Sequence, residues 1–268
     1  MYTQDIITLY QEGYSLNKLK EKFNYSPEKI KSILRENNIH IRTRSEQTSI
    51  TNQLRGKKVN HNYFDIIDTT EKAWLLGFLA ADGNIASDRN RIKIGLSSID
   101  REILEKIKKI LDSEREIIDY ETNQGFGVSE LSWSSANQKI KLAQYGIVSN
   151  KTYKEMHLPE LKEKEFLLAY ILGYYDGDGC FRNDGKYCRI EICSYRPELL
   201  QDFANKIKEY FLIDKKPLQD KSRQNYYTLT YSTEDAVRII NYCYQICPIY
   251  LQRKYNKYQE WLKENNRI

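Results

Sequence analysis

The hydrophobic positions in the first 44 residues recur with helical spacing and predict three short helices, at about 3–12, 15–23 and 26–37. Gly13 separates the first two, and Ser15 and Ser26 are suitable N-cap residues. The polar side of the third helix and the short arm after it carry five basic residues: Lys29, Lys31, Arg35, Arg42 and Arg44. Residues 1–44 are therefore expected to form a small all-α domain with a basic face.

From residue 63 onward the pattern of the chain repeats. In each repeat, 63–160 and 161–268, an apolar helix ending in Asp-Gly precedes a hairpin, a helix, a second hairpin and a final helix. Strands such as Arg91–Ser97 and Arg189–Cys193 alternate apolar with polar side chains, so one sheet face should pack on helices. The sequence predicts an α+β fold with two pseudo-symmetric units, each with an antiparallel four-stranded sheet. Residues 45–62 are polar and aperiodic, and predict a flexible linker.

The two apolar helices end in an unusual way. The segments LLGFLAADG at 75–83 and ILGYYDGDG at 171–179 place Asp82 and Asp178 directly before Gly83 and Gly179. Each glycine is expected to take the left-handed conformation that ends many helices. An acid at the negative end of a helix is unfavourable by a few tenths of a kcal/mol to about 1 kcal/mol. Because the same local rule is broken at matching positions, the pattern indicates function.

Small residues recur every four positions on both helices, as Gly77 with Ala81 and Gly173 with Gly177. Two such faces can pack backbone to backbone, and the two terminal aspartates would then emerge side by side. Neighbouring carboxylates both stay ionised only if a cation lies between them, and oxygen ligands of this kind suit Mg²⁺. The alternative is a pair of ordinary core helices with glycine caps.

The two segments resemble the LAGLIDADG motif of homing endonucleases in its two-copy, single-chain form. Both copies have Gly at the third place, Asp at the eighth and Gly at the ninth, whereas Ala80 replaces the earlier acid that Asp176 retains. The resemblance covers about Tyr63 to Trp261. It implies a monomeric endonuclease that cuts both strands of a long, asymmetric DNA target with Mg²⁺, or Mn²⁺ as a substitute. The products would carry 5′-phosphate and 3′-hydroxyl ends with short 3′ overhangs.

The same resemblance implies roles for individual residues. Asp82 and Asp178 would be catalytic metal ligands, with Gly83 and Gly179 beside them in the metal site. A lysine follows the final helix of each unit, at Lys151 and Lys254, where the family has an active-site lysine that could stabilise transition-state charge. The alternative is a lysine that covers a helix end, which the helix dipole also favours.

Basic residues on the polar sheet faces are candidates for DNA contact in the major groove, although an ordinary solvated sheet face is also polar. They are Arg91, Lys93, Arg189, Lys221 and Arg223. The N-terminal segment resembles a resolvase-type helix-turn-helix, whose third helix enters the major groove and whose arm follows the DNA. A plain three-helix interaction module would give the same outline.

Charge and composition add three constraints. The net charge is +5, and residues 1–60 hold 11 Lys and Arg against 6 Asp and Glu, so the basic excess is N-terminal. The five cysteines are odd in number and form no CxxC pair, which argues against a disulfide framework and a zinc site. The sequence has no apolar run of membrane-spanning length and no signal peptide, which predicts a cytoplasmic protein.

A second function remains open from the sequence. The chain could be a non-cleaving nucleic-acid binder, either an intron maturase or a DNA-binding regulator, on the same scaffold. Retention of both Asp82 and Asp178 favours cleavage, because a pure binder has no use for acids beside a phosphate backbone.

Overall fold

The computed structural model describes residues 2–55, 58–151, 154–220, 222–223 and 225–267. The chain divides into two compact units, Met1–Lys58 and Val59–Ile268. Within the described part of the chain, no helix has both the length and the apolar character needed to cross a membrane.

The N-terminal unit is helical, as predicted, and its first three helices are α1 (Thr3–Gln11), α2 (Leu16–Phe23) and α3 (Pro27–Glu36). The side chains of Ser15 and Ser26 accept hydrogen bonds from the backbone N–H groups of Lys18 and Lys29, at 3.3 and 3.2 Å. Both predicted N-caps are therefore confirmed. The core of the unit consists of six buried side chains: Ile6, Ile7, Tyr10, Leu19, Ile30 and Leu34.

Much of the segment predicted as an aperiodic linker is a helix, α4 (Arg44–Arg55). Its start is a capping box: the backbone N–H of Thr43 donates to Glu46 Oε2 at 2.7 Å, and the backbone N–H of Glu46 donates to Thr43 Oγ1 at 3.3 Å. This reciprocal cap satisfies two N–H groups without any apolar stripe, which is why periodicity missed the helix. Farther along, Val59 is buried in the core of the second unit.

The first half of the second unit follows the predicted order. It comprises α5 (Thr70–Asp82), β1 (Gly83–Ile85), β2 (Arg91–Ser97), α6 (Arg101–Ile110), β3 (Ile117–Glu121), β4 (Gly127–Ser134) and α7 (Ala136–Gln144). The four strands form an antiparallel sheet in the order β1-β2-β4-β3.

The second half repeats this arrangement, which confirms the α+β fold with two similar units. It comprises α8 (Lys164–Asp178), β5 (Gly179–Asp184), β6 (Tyr187–Ser194), α9 (Pro197–Phe211), β7 (Leu218–Gln219), β8 (Tyr227–Ser232) and α10 (Thr233–Ile246), with strand order β5-β6-β8-β7. The predicted strand over 218–223 is shorter because Asp220 Oδ1 accepts from the backbone N–H of Ser222 at 2.8 Å and turns the chain. A last helix, α11 (Gln252–Glu264), was not predicted.

Apolar and polar side chains separate across each sheet as their alternation predicts. Ile92 and Ile94 are buried on the helix side of the first sheet, and Ile190 and Ile192 are buried in the same way in the second. The intervening positions of these strands carry charged or polar side chains on the other face. Each sheet therefore has one apolar face in the core and one polar face.

Helices α5 and α8 pack backbone to backbone, as their small residues predicted. A Cβ atom added at Gly77 would lie 2.0 Å from the carbonyl oxygen of Tyr170, and one added at Gly173 would lie 2.0 Å from that of Trp74. Only glycine permits so close an approach at these two crossing points. The crossing joins the two halves and fixes where both helices end.

The two glycines that end these helices do not take the predicted left-handed conformation. Gly83 has φ −67° and ψ 140°, and Gly179 has φ −114° and ψ 173°, both of which are extended. Each helix passes directly into a strand, so no reversing turn is needed. Glycine is required for space instead, since a Cβ at Gly83 would lie 2.5 Å from the carbonyl oxygen of Leu79.

Candidate active site

The two predicted acids lie together at the end of the helix pair. Asp82 is the last residue of α5 and Asp178 the last residue of α8. A Cβ atom added at Gly177 would lie 3.2 Å from Asp82 Oδ2, so the carboxylate of Asp82 rests against the backbone of the other helix. The glycine in the second motif thus makes room for Ala81, whose Cβ would lie 2.4 Å from the added atom, and for the acid of the first motif.

The electrostatics of this pair suit a cation. Burial, followed by the charge of Asp178, raises the pKa of Asp82 from its ordinary value of 3.8 to about 6. Partial burial also raises the pKa of Asp178, and the charge of Lys151 opposes this rise. The side chain of Asp178 still has contact with solvent. A cation placed between two such carboxylates would relieve both effects.

The two carboxylates of Asp82 and Asp178 suit Mg²⁺ better than a metal ion that takes all its ligands from the protein. In the ranges that the structure describes, no group of three or more His, Cys, Asp or Glu side chains could hold a metal ion. Mg²⁺ is commonly held by one or two carboxylates and completes its shell with water and phosphate oxygens. Asp82 and Asp178 therefore match the donor set that this ion accepts.

Lys151 lies beside both acids. Its ammonium donates a hydrogen bond to the carbonyl oxygen of Gly83, and its side chain is half-buried. Burial, followed by the charge of Arg196, lowers the pKa of Lys151 to about 8, while Asp178 and Asp82 act in the opposite direction. This lysine is placed where it can act on a group held by the acids.

Lys254 lies in a different setting, because it caps the end of α8. It is 5% exposed, and its ammonium donates to the carbonyl oxygens of Tyr175 at 2.6 Å, of Asp176 at 2.8 Å, and of Gly179. These three bonds use all three ammonium protons. Its geometry is thus that of a helix cap, and a catalytic role for it stays a prediction.

The carbonyl oxygens of the two glycines predicted beside the metal accept hydrogen bonds from these lysines. Gly83 accepts from Lys151 and Gly179 accepts from Lys254. A carbonyl oxygen has two lone pairs, so each could still bind one further group. Their role as metal ligands remains a prediction.

Asp176, the earlier acid of the second motif, connects three elements through hydrogen bonds. Its Oδ2 accepts from Trp74 Nε1 at 2.8 Å and from the backbone N–H of Leu251 at 3.0 Å. It is 2% exposed, and burial raises its pKa to about 6. The first motif has Ala80 here, so this link between α5, α8 and the start of α11 exists once.

A buried arginine next to the acids was missed by the sequence reasoning. Arg196 is 6% exposed and donates to Tyr174 Oη at 3.0 Å, to Met156 Sδ at 3.2 Å and to the carbonyl oxygen of Ala80 at 3.4 Å. Together with Lys151 and Asp178 it lines a pocket of about 160 Å³. A signal was present: Arg196 directly precedes helix α9, where the helix dipole disfavours a cation.

A second arginine near the centre was also missed. Arg253 forms a bidentate pair with Asp100, with Nε 3.0 Å from Oδ1 and Nη2 3.0 Å from Oδ2. Asp100 is 8% exposed, so the pair is largely shielded from water on its acidic side. This arginine is consequently occupied within the protein.

In the first sheet the predicted DNA-binding cations share one acid. Arg91 Nη2 lies 2.7 Å from Glu130 Oε1, and Lys93 Nζ lies 3.0 Å from Glu130 Oε2. The side chain of Glu130 is 11% exposed, whereas those of Arg91 and Lys93 are 39% and 34% exposed. The two cations therefore face solvent in fixed positions with part of their charge neutralised.

The second sheet has a similar arrangement. Arg189 Nε lies 2.8 Å from Asp184, and Arg182 Nε lies 2.7 Å from Glu191. Arg223 lies over the ring of Tyr226, at 4.9 Å from its centroid. Lys221 lies outside the described residues. The assignment of these side chains to DNA contact stays a prediction.

In the N-terminal unit, one residue of the predicted basic arm, Arg42, makes contacts within the unit itself. The guanidinium of Arg42 lies 3.7 Å from the centroid of the Tyr10 ring and donates to the carbonyl oxygens of Tyr10 and Tyr14. Arg42 is thus an internal contact rather than a free arm residue, because an aromatic face and two carbonyl groups lie within its reach. The other candidates, Lys29, Lys31, Arg35 and Arg44, lie at the surface or partly exposed.

Comparison with protein families gives a match in both halves of the second unit. The model described as a LAGLIDADG-like domain matches residues 69–139 and 165–243, which together make up more than half of the chain. Each matched segment begins at or near the apolar helix that ends in one of the two acids.

Two proteins from Methanocaldococcus jannaschii are similar in sequence. The DNA-directed RNA polymerase subunit Rpo1C is 28% identical over 157 residues, which is 58% of this chain and 17% of that protein. An uncharacterized protein is 29% identical over 160 residues, which is 56% of this chain and 53% of that protein. The chain spans less than two thirds of the length of either relative.

Several solved structures are similar at low sequence identity. The meganuclease I-SmaMI bound to uncleaveable DNA is 16% identical, with a TM-score of 0.47 and coverage of 73% of this chain and 90% of that one. The I-LtrWI LAGLIDADG homing endonuclease bound to target DNA is 13% identical, with a TM-score of 0.46 and coverage of 77% and 91%. The N-terminal LAGLIDADG domain of DUF199/WhiA is 16% identical, with a TM-score of 0.43 and coverage of 69% and 81%.

Proposed function

This chain belongs to the LAGLIDADG-like domain family, and from that premise we propose that it is a site-specific double-strand DNA endonuclease. It would hydrolyse phosphodiester bonds with a divalent metal and leave 5′-phosphate and 3′-hydroxyl ends. The observation that supports this most is the pair Asp82 and Asp178: burial raises the pKa of both, and the charge of Asp178 raises that of Asp82 further. Two acids held in this way carry an electrostatic penalty that a bound cation would remove.

The chemistry proposed for the centre divides between the metal and the side chains. Mg²⁺, when bound, would supply a more acidic water and neutralise charge on the phosphate. Asp82 and Asp178 would hold it, and their helices restrict where it can lie. Lys151, with its pKa lowered to about 8, would stabilise negative charge on the reacting phosphate. Lys254 would keep the end of α8 rigid through its three carbonyl bonds.

DNA binding would come from the polar faces of the two sheets and from the N-terminal unit. The sheet cations differ between the halves, so the two half-sites of the target should differ in sequence. The N-terminal unit would act as a helix-turn-helix that raises the effective concentration of the cutting unit on DNA. A single chain holds both acids, so a monomer would suffice to cut both strands.

One observation favours a second candidate, a nucleic-acid binder that does not cut. Because the protons of Lys254 are all used by carbonyl groups, one of the two predicted active-site lysines has none left for a phosphate. A maturase or a DNA-binding regulator on the same scaffold would not need that lysine. The retained acid pair is the reason to prefer cleavage.

The experiment that separates the two functions is cleavage of a randomised DNA library with Mg²⁺ and with Ca²⁺. The proteins compared are the wild type, Asp82→Asn, Asp178→Asn and the control Asp88→Asn, whose acid is 74% exposed and lies 3.5 Å from Arg89. Discrete ends that require Mg²⁺, persist in the control and vanish in both other variants are expected. Specific binding without cutting by the wild type in either metal would instead establish the binder.

A further inference from the structure

An exposed aliphatic side chain lies at the same place on an edge strand of each sheet. Ile118 on β3 is 57% exposed, and Leu218 on β7 is 71% exposed. The strand orders β1-β2-β4-β3 and β5-β6-β8-β7 put these two strands at corresponding edges. Ile118 pairs with Glu130, and Leu218 pairs with Thr228. Single exposed aliphatic residues are common on proteins, but one at the same place in both repeats needs a reason.

Both aliphatic side chains project from the polar face of their sheet. In β4 the residue after Glu130 is Leu131, which is fully buried, so Glu130 and its cross-strand partner lie on the opposite face. In β8 the residue after Thr228 is Leu229, which is also fully buried. The same reasoning therefore puts Thr228 and its partner on the polar face of the second sheet.

A tyrosine neighbours each aliphatic position. Tyr120 follows Ile118 by two residues on the same strand, so it lies on the same face, where it is exposed. In the second sheet Tyr226 precedes Thr228 by two residues, and its ring contacts that of the exposed Tyr195, with centroids 5.1 Å apart. These rings would keep water away from a small apolar group that meets the aliphatic side chain.

The same polar faces carry the cations that are proposed to meet DNA. On the first sheet Arg91 and Lys93 share the carboxylate of Glu130, which leaves this group with a net positive charge. An aliphatic side chain offers a phosphate neither a charge nor a hydrogen-bond donor. The apolar group on the base edges of the major groove is the C5-methyl group of thymine. An aliphatic side chain on a face that meets DNA is therefore suited to thymine.

We propose that Ile118 and Leu218 each contact the C5-methyl group of a thymine in the major groove, one in each half of the target. This rests on the proposed binding of DNA by the sheet faces. Because the two residues are equivalent, the two thymines lie at matching distances from the centre of the target. The cations around them differ between the halves, so the flanking bases differ while these two positions agree.

The test measures the affinity for a target selected by binding from a randomised DNA library, in Ca²⁺, so that binding is separated from Mg²⁺-dependent cutting. Uracil replaces each thymine of the target in turn, which removes the C5-methyl group alone. At one thymine in each half-site, uracil should weaken binding by the wild type about fourfold, the usual effect of one buried methyl group. Ile118→Ala should abolish the preference for thymine in one half-site and keep it in the other, and Leu218→Ala should do the reverse.

The matched control is Ile140→Ala. Ile140 is 59% exposed, a fraction close to that of Ile118, but it lies on α7. This control should leave the ratio of the affinities for thymine and uracil unchanged at every position. Uracil alters the free DNA equally for all proteins, so the comparison between variants isolates the contact with the protein.

Two results would overturn the assignment. One is a wild type that binds its target selectively and shows no loss at any uracil. The other is an equal loss for the thymine and uracil targets in Ile118→Ala and Leu218→Ala, which would show a merely structural role. Ile118→Thr keeps the branched shape and replaces one methyl group with a hydroxyl, so it should lose part of the preference. If Ile118→Ala does not fold, Ile118→Thr decides, and an unchanged preference in it refutes the contact.

The outcome also separates this proposal from the endonuclease. A wild type that binds no DNA selectively would overturn both. A preference for thymine that depends on Ile118 and Leu218, in a protein that cuts no DNA with Mg²⁺, would overturn the endonuclease and support the thymine contacts.

Discussion

Replacing Lys254 by methionine is expected to lower the free energy of unfolding of the second unit by about 3–5 kcal/mol. The methionine fills nearly the same space, so the change removes the ammonium rather than opening a cavity. Three carbonyl groups at the end of α8 would lose their donor. The side chain of Asp176 would lose the charge of Lys254, which opposes the rise of its pKa on burial.

The magnitude follows from this geometry. A buried acceptor left without a donor costs about 1–3 kcal/mol. One ammonium serves three acceptors here, so their losses overlap and the sum is smaller than three separate bonds. The uncompensated charge of Asp176 adds to this, which brings the total into the range for breaking a buried ion pair.

The assay is urea unfolding at pH 7, followed by tryptophan fluorescence. The chain has three tryptophans, and Trp74, Trp133 and Trp261 are all buried in the second unit, so the signal reports that unit. Lys151→Met is the matched control, because it removes one carbonyl bond at the equivalent place and should cost under about 1.5 kcal/mol. A loss below about 1 kcal/mol for Lys254→Met, or an equal loss for both variants, would refute the reasoning.

Three further predictions test other parts of the unit. Gly173→Ala should destabilise it by at least about 1–3 kcal/mol in urea unfolding, because the new methyl would overlap a carbonyl group; Gly95→Ala, with open space around it, should stay within about 1 kcal/mol. Asp82→Asn should be more stable than the wild type at pH 7 in EDTA. The pKa of Asp82 is raised from 3.8 to about 6 in the folded protein. Ionisation of Asp82 therefore does not change the free energy of unfolding near pH 3, lowers it progressively from about pH 4 to 6, and lowers it by at most about 3 kcal/mol at higher pH. The gain should disappear at pH 3, and a gain that persists there would contradict this origin. Glu130→Gln should tighten DNA binding at low salt and steepen the slope of log K against log salt by about 1–2, because it releases two sheet cations for phosphates; an unchanged slope would show that this face does not meet DNA.

The features that the sequence predicted well depend on residues close together in the chain. The four-residue spacing of Gly77 with Ala81, and of Gly173 with Gly177, predicted the helix crossing, because small residues on one helix face allow another helix to approach closely. The alternation in Arg91–Ser97 predicted the strand and its buried face for the same local reason. The serine caps of α2 and α3 involve side chains three residues from their partners. In each case the sequence signal lies within a few neighbouring residues, even where the contact that it predicts, as for α5 and α8, joins distant segments.

The features that the sequence did not predict depend on distant residues. Arg196 reaches the acids only because α5 and α8 cross and bring Ala80 to its guanidinium. Arg42 lies on Tyr10, which is 32 residues earlier in the chain. Gly83 is extended because the next residues continue directly into a sheet strand, and a local glycine rule cannot anticipate this. The capping box of α4 is local, but it leaves no periodic pattern of apolar residues from which a helix is predicted.

The cap on α8 has a consequence for the order in which the protein is made. The helix with the second acid ends at residue 178, yet the ammonium that closes it belongs to residue 254. During synthesis both acids leave the ribosome long before this lysine does. A chain interrupted between these points would contain the two acids at the end of a helix without its cap. Completion of the acid site is therefore tied to translation of the segment that begins α11, and, under the proposed endonuclease function, incomplete products would be poor nucleases.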